Sequence, residues 1–370
     1  MSSKKNDDRK SVVVVGGGSA GVNIARPLSS QLDATKFKLI LINPRPFRVL
    51  LPATLRMVVS EVDNLGTTAQ ALVPFDKLFH GENGTFIQDS VRSLNEKVLT
   101  LGSGEQVPYD ILILCPGLSW ADPIAFPEST EDVKTYLSRS REKFAGAGSY
   151  LLVGGGAVGC ELAGELKDMW PEKEVTLVHG QRLLFNDTYP DRFRKSAADH
   201  LTGRGVKIHL GDIVEDFPAE AAPATVLTKG ADLVLKTTGA THPNTDFLNS
   251  LDADALTPAG FVKVKPTLQL LNHPNIFAAG DIVEWKEQKQ AIKAGAHAKI
   301  VTQNVLNYIS GRSLKNYSTG FEAILVTNGK RGGYSYFGVL WGLIFGAWLT
   351  SLLKSKSLLV PMFRKESGLR

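Results

Sequence analysis

VVVVGGGSAG, residues Val12 to Gly21, joins four consecutive valines to a run of glycines. A β-branched run of that kind predicts a parallel strand buried on both faces. Gly16, Gly18 and Gly21 then follow at GxGxxG spacing. The first glycine allows a tight strand-to-helix turn, the second lets the backbone approach a pyrophosphate, and the third lets the helix pack closely on the strand. Ser19 and Ala20 open that helix, whose free N–H groups and partial positive charge suit a phosphate. FKLILI, Phe37 to Ile42, supplies the second strand of a βαβ unit. LLVGGGAVG, Leu151 to Gly159, repeats the pattern with Gly154, Gly156 and Gly159, a helix from about Ala157 to Met169, and the strand EVTLVH ending at His179.

One such turn can be a structural glycine corner. Two, each embedded in strand, turn, helix and strand, point to two dinucleotide sites, and most simply to a resident FAD and a visiting NADH or NADPH. A duplicated scaffold that binds nothing is the competing reading. YDILILCPG, ending at Gly117, and ADLVLKTTG, ending at Gly239, are further buried strands that close on glycine turns. NIFAAGD places Gly280 and Asp281 after a strand and ahead of a helix from about Gln290 to Ile309. There Asp281 can bond a ribityl hydroxyl or simply cap a helix.

Together these segments resemble the two-dinucleotide-domain flavoprotein reductases. WPEKEVTLVH, AGAHAK and LLKSKSLLV resemble the apoptosis-inducing-factor-like branch with ferroptosis suppressor protein, and INPRPF followed by LLP is similar to type II NADH dehydrogenases. The resemblance spans Val12 to about Phe363. It implies an α/β fold of two Rossmann-like, three-layer ββα domains, the second inserted in the first, with a small C-terminal α+β domain. The expected boundaries are 1–119 and 243–311 for FAD, 120–242 for NAD(P)H and 312–370 for the C-terminal domain. It also implies non-covalent FAD, NAD(P)H oxidation and a quinone-type acceptor. By the same resemblance Glu161, two residues after Gly159, lies near nicotinamide and flavin, and His297 points toward the flavin.

The acidic residue that usually ends the second strand and holds a ribose is missing from both units. Ile42 or Asn43 takes its place in the first, and the Asn43 amide can bond a hydroxyl without charge assistance. His179 takes it in the second, with Arg182 close behind. No carboxylate lies there to repel a 2′-phosphate, so NADPH is expected to be accepted as well as NADH.

With 370 residues and 43% hydrophobic content the chain is long enough for two or three cored domains. Cys115 and Cys160 are its only cysteines, so there is no redox pair beside a flavin, no disulfide scaffold and no zinc spacing. Thiol reduction is thereby excluded, and a quinone, oxygen or a one-electron oxidant is left as acceptor. The polar start MSSKKNDDRK leads us to expect no secretory signal or transit peptide, and a cytoplasmic protein, free or peripheral on a membrane.

The net charge is +5, but Gly311–Arg331 and Lys354–Arg370 carry +3 and +4, leaving −2 for the first 310 residues. Between those clusters Gly332–Leu353 has no charge, and Gly338, Gly342 and Gly346 follow GxxxGxxxG spacing. As a helix the run could bury against the flavin domains or across a homodimer, dock with its basic flanks on an anionic membrane, or span one. In the last two of these readings membrane contact runs through Gly332–Arg370. Lys354 and Lys356 are candidates to polarise a quinone oxygen or guide an anionic lipid, against a plain solvated turn. A nucleic-acid partner is disfavoured by the interrupted charge. The rival to an enzyme is a redox-sensing, cell-death-related flavoprotein whose nicotinamide-dependent shape change controls a partner.

Overall fold

A computed structural model describes residues 8–60, 70–214 and 230–369. Residues 1–7, which carry the expectation about a leader, lie outside it, as does part of the segment assigned to NAD(P)H.

The predicted valine strand, Lys10–Val15, sits at the centre of a five-stranded parallel sheet. Its neighbours are Phe37–Asn43 on one side and Ile111–Leu114 on the other, with Thr85–Gln88 and Ile276–Ala278 at the edges. Val12, Val13 and Val14 are fully buried, as an all-apolar central strand demands. A second parallel sheet is built the same way around Ser149–Val153, flanked by Glu174–His179 and Leu233–Lys236, with Val206–Leu210 outermost. The edge strand Ile276–Ala278 of the first sheet is contributed after the whole second sheet in the chain. The chain crosses between sheets through an antiparallel ribbon of Leu118–Trp120 and Ala240–Pro243. A small antiparallel sheet of Val91–Leu94, Val98–Leu101 and Gln106–Pro108 adds the second β layer of the first unit.

The α-helices that lie wholly within the described residues are α1 (Ser19–Gln31), α2 (Leu51–Val59), α3 (Thr130–Gly146), α4 (Ala157–Met169), α5 (Asp191–Thr202), α6 (Ala291–Ile309), α7 (Ala347–Thr350) and α8 (Val360–Glu366). One core surrounds the first sheet. A second covers one face of the second sheet and also takes in α2 and the C-terminal residues Val326, Tyr334, Val360 and Phe363, while Leu151, Val153 and Val178 form a small cluster on the other face. Arg56 of α2 and Glu165 of α4 form a bidentate pair across that junction, both bonds 2.8 Å, with both side chains buried.

The uncharged run near the C-terminus is not a helix. It forms the strands Gly332–Phe337 and Leu343–Phe345 of an antiparallel sheet with Ala323–Asn328, then the single turn α7 and a π-turn, Ser351–Ser355. Gly342 has φ +85° in the hairpin corner, and Gly338 lies so close to Glu322 O that a Cβ would stand 3.0 Å from it. These glycines serve close strand approach and a corner, so the helix-face reading and the dimer built on it lose their basis. Among the described residues no helix is long and apolar enough to cross a membrane.

Candidate active site

Both glycine turns are built alike. At Gly16 (φ +98°) an added Cβ would stand 2.2 Å from Cys115 O, and at Gly21 only 1.8 Å from Gly16 O. Gly154 (φ +124°) and Gly159 repeat this, at 2.6 Å from the Thr237 carbonyl carbon and 2.0 Å from Gly154 O. The middle glycines differ. Around Gly18 and Gly156 there is nothing within 4 Å of the missing Cβ. The tight positions thus face protein and the open one faces space, as a pyrophosphate cradle requires. Gly18 and Gly156 are also the N-caps of α1 and α4, with no side chain capping either helix. Their first N–H groups are left for a ligand.

The residues ending each second strand also correspond. Gly17 N–H donates to Asn43 Oδ1 at 2.9 Å, and Gly155 N–H donates to His179 Nδ1 at 3.1 Å. The His179 ring therefore carries its proton on Nε2, which faces Phe185 O at 3.1 Å. A cavity of about 570 Å³ opens beside the first turn, lined by Gly16, Asn43, Arg45, Ser119, Trp120 and Asn244 among others. Gly117 (φ +71°) and Gly239 (φ +104°) each precede one strand of the connecting ribbon, and each faces open space.

Gly280 (φ +81°) brings the Asp281 turn against α1, with its missing Cβ 3.1 Å from Ala20 Cβ. Asp281 makes no hydrogen bond among the described residues, and burial pushes its carboxyl above the usual range. A partly desolvated carboxylate beside the first cradle, attracted by Lys289 but without a hydrogen-bond donor among the described residues, fits a hydroxyl-rich ligand. His297 lies behind this turn, buried. Its Nδ1 accepts from Gly280 N–H at 3.1 Å, its Nε2 faces Glu287 Oε1 at 2.9 Å, and Tyr317 donates to the other Glu287 oxygen at 2.7 Å. Burial lowers its pKa to about 4. The ring is committed to holding the Gly280–Asp281 turn.

Glu161 and Lys354, 193 positions apart, are joined. Lys354 Nζ donates to Glu161 Oε1 at 2.5 Å and to Leu325 O at 2.8 Å, and Thr327 N–H donates to the same Glu161 oxygen at 2.9 Å. Lys354 lies in the π-turn, with its side chain 12% exposed, and is not a solvated flank. Lys356 is exposed. Arg182 does meet a carboxylate: Asp191, nine residues on, stands 2.6 Å away. The expectation that this corner holds no carboxylate is therefore corrected, since the first turn of α5 brings one in. Cys115 and Cys160 are buried in separate cores, and burial pushes the Cys160 thiol to about 12. Neither is poised for redox chemistry.

The family model described as pyridine nucleotide-disulphide oxidoreductase matches residues 10–298, which include both cradles and the Asp281 turn. The chain belongs to this family. A FAD-dependent oxidoreductase of Flammulina velutipes is 44% identical over 324 residues, 84% of this chain and 99% of that protein. Ferroptosis suppressor protein 1 of Xenopus tropicalis is 30% identical over 301 residues, 76% of this chain and 79% of that one. The sulfide:quinone oxidoreductase of Aquifex aeolicus matches in fold, with TM-score 0.78 at 16% identity over 97% of this chain and 91% of its own. The chain is thus a pyridine-nucleotide oxidoreductase, and the FAD and NAD(P)H read from its two turns agree with this membership.

Arg48 escaped sequence reading. It is buried, its Nη2 donates to Ser19 Oγ at 3.2 Å beside the first cradle, and it pairs with Glu366 of α8 at 3.2 Å. Only the return of the C-terminal helix marks it. No local motif does.

Proposed function

We propose that this chain oxidises NAD(P)H and delivers the electrons to a quinone-type acceptor. FAD, when bound, supplies hydride acceptance and the choice of one- or two-electron release. Gly16, Gly18, Gly21 and the N–H groups of α1 would hold its pyrophosphate, Asn43 and Asp281 its hydroxyls. Gly154, Gly156, Gly159, His179 and Gly239 would surround the nicotinamide nucleotide. The observation that carries the acceptor assignment is the Glu161–Lys354 pair. It places an ammonium from the C-terminal domain on the carboxylate of the helix that follows the second cradle. An ammonium there can polarise a carbonyl oxygen as it gains negative charge, and Glu161 holds that ammonium in place. With no usable cysteine, no protein nucleophile is asked for.

The test uses purified protein. Its absorption spectrum should show bound flavin, and NADH or NADPH oxidation should accelerate on adding a short-chain ubiquinone analogue. A preparation that stays colourless and inactive with added FAD overturns the assignment. Stoichiometric reduction without turnover favours the sensor.

Membrane contact through the C-terminal domain is supported by its exposed apolar residues. Trp341 is 96% and Trp348 79% exposed, Leu340, Leu352 and Leu353 are also exposed, and so is Lys356. Isolated exposed apolar residues are ordinary, but two exposed tryptophans and an exposed cation within one short segment of chain suit a lipid interface. The double variant Trp341→Glu, Trp348→Glu should lose flotation with anionic liposomes. Undiminished flotation rejects this contact. Deleting the domain would be a poorer test, because Tyr334 and Phe363 belong to the second core.

A further inference from the structure

The loop 180–185 is strapped to the second cradle from both sides. Phe185 N–H donates to Gly155 O at 2.8 Å, while His179 bridges Gly155 N–H and Phe185 O. Arg182 stands in the middle of this loop with its side chain 69% exposed. Arg194 cannot take the same part. Its guanidinium is turned inward onto the carbonyls of Leu183, Leu184 and Phe185 and onto Gln181, and it is nearly fully buried. Arg182 is therefore the cation of this loop able to meet a phosphate on the adenosine ribose, where an arginine accommodates a 2′-phosphate in such folds. Its Nη2 is already occupied by Asp191 Oδ2 at 2.6 Å. Arg182 in turn holds the Asp191 carboxyl below the usual range, so the partner is a full anion at neutral pH.

We propose that Asp191 is the specificity-determining residue of the second site. Its carboxylate occupies the Arg182 guanidinium and repels an incoming 2′-phosphate, so NADPH gains less from Arg182 than a free arginine would give it. NADH, which carries a hydroxyl there, meets no such competition. The other charged groups facing the pair are Arg194, 3.5 Å from Asp191 Oδ1, and Lys195, which favours the anion. Neither releases Arg182. The proposal rests on the assignment of the second cradle to NAD(P)H.

The test compares 2′,5′-ADP with 5′-AMP, binding each by calorimetry to the full-length, FAD-loaded protein. Asp191→Asn keeps the side-chain shape and removes the charge. It should tighten 2′,5′-ADP by about threefold to tenfold relative to 5′-AMP. Arg182→Gln in the same chain should erase that gain, and the KM ratio of NADPH to NADH should move in parallel. A ratio that shifts less than about twofold in Asp191→Asn, or a gain that survives Arg182→Gln, overturns the proposal. If the unaltered protein binds neither fragment, the NAD(P)H assignment itself fails and the proposal falls with it, a result distinct from unchanged discrimination between two bound ligands.

Discussion

Glu161 and Lys354 are each ordinary for their positions in the chain. A glutamate near the start of a helix suits the dipole, and a lysine after an apolar run suits solvent. Together, with only a tenth or so of each side chain exposed, they are a partly desolvated ion pair whose members cannot be removed singly without stranding the other. Lys354→Met should lower quinone-dependent turnover at least tenfold while bound flavin, read from its absorbance, is retained. Glu161→Gln in the same background should add little, because the two residues act as a unit. Steady-state kinetics on the four combinations checks this, and full additivity would count against a shared role. Asn43 and His179 are the opposite case. Each replaces an expected acid, yet each accepts from an N–H of its own turn, that of Gly17 or of Gly155, so the position was legible even where the residue type departed from pattern.

Among the elements, α8 couples the end of the chain to its beginning. Glu366 Oε2 accepts from Arg48 and from Asn23 Nδ2, both at 3.2 Å, and Phe363 lies 5.0 Å beneath the Arg48 guanidinium. Arg48 in turn reaches Ser19, the first residue of α1. Glu366→Gln should loosen that arginine and raise the FAD dissociation constant by roughly fivefold to tenfold. The ratio of flavin to protein absorbance after prolonged dialysis reads this out, and an unchanged ratio would separate Glu366 from flavin retention. The central strands of both parallel sheets and the helices after the glycine turns follow from local pattern: α4 runs Ala157–Met169 and its partner strand ends at His179, both as the sequence predicts, while the edge strands Thr85–Gln88 and Val206–Leu210 carry no such signal. The C-terminal hairpin does not. An uncharged run rich in aromatic residues and glycine is equally apolar as a strand or a helix, and only pairing with Ala323–Asn328 settles which it becomes.

At the scale of the molecule, the buried His297–Glu287–Tyr317 cluster ties α6 to the turn that carries Asp281. The fold keeps the His297 ring neutral, with a pKa lowered from 6.5 to about 4 chiefly by burial. The unfolded chain takes up a proton at higher pH than the folded one. The resulting stabilisation is complete above pH about 6.5 and is lost as pH falls toward about 4, an effect of roughly 3 kcal/mol. The fall in urea midpoint between pH 7 and pH 4.5 should therefore be smaller in His297→Gln than in the unaltered protein. Equal falls in both would show that other groups carry the acid sensitivity. The amino-acid sequence alone determined the central strands of the two parallel sheets, their glycine cradles and hence the pair of nucleotides, because strand burial, turn geometry and helix start are local demands on neighbouring residues. Tertiary structure alone decided the hairpin, the Lys354 contact, the Arg48 tie and the Asp191 carboxylate beside Arg182. Each of these joins segments whose approach is set by packing of shared cores, and no spacing along the chain encodes the direction in which a distant side chain arrives.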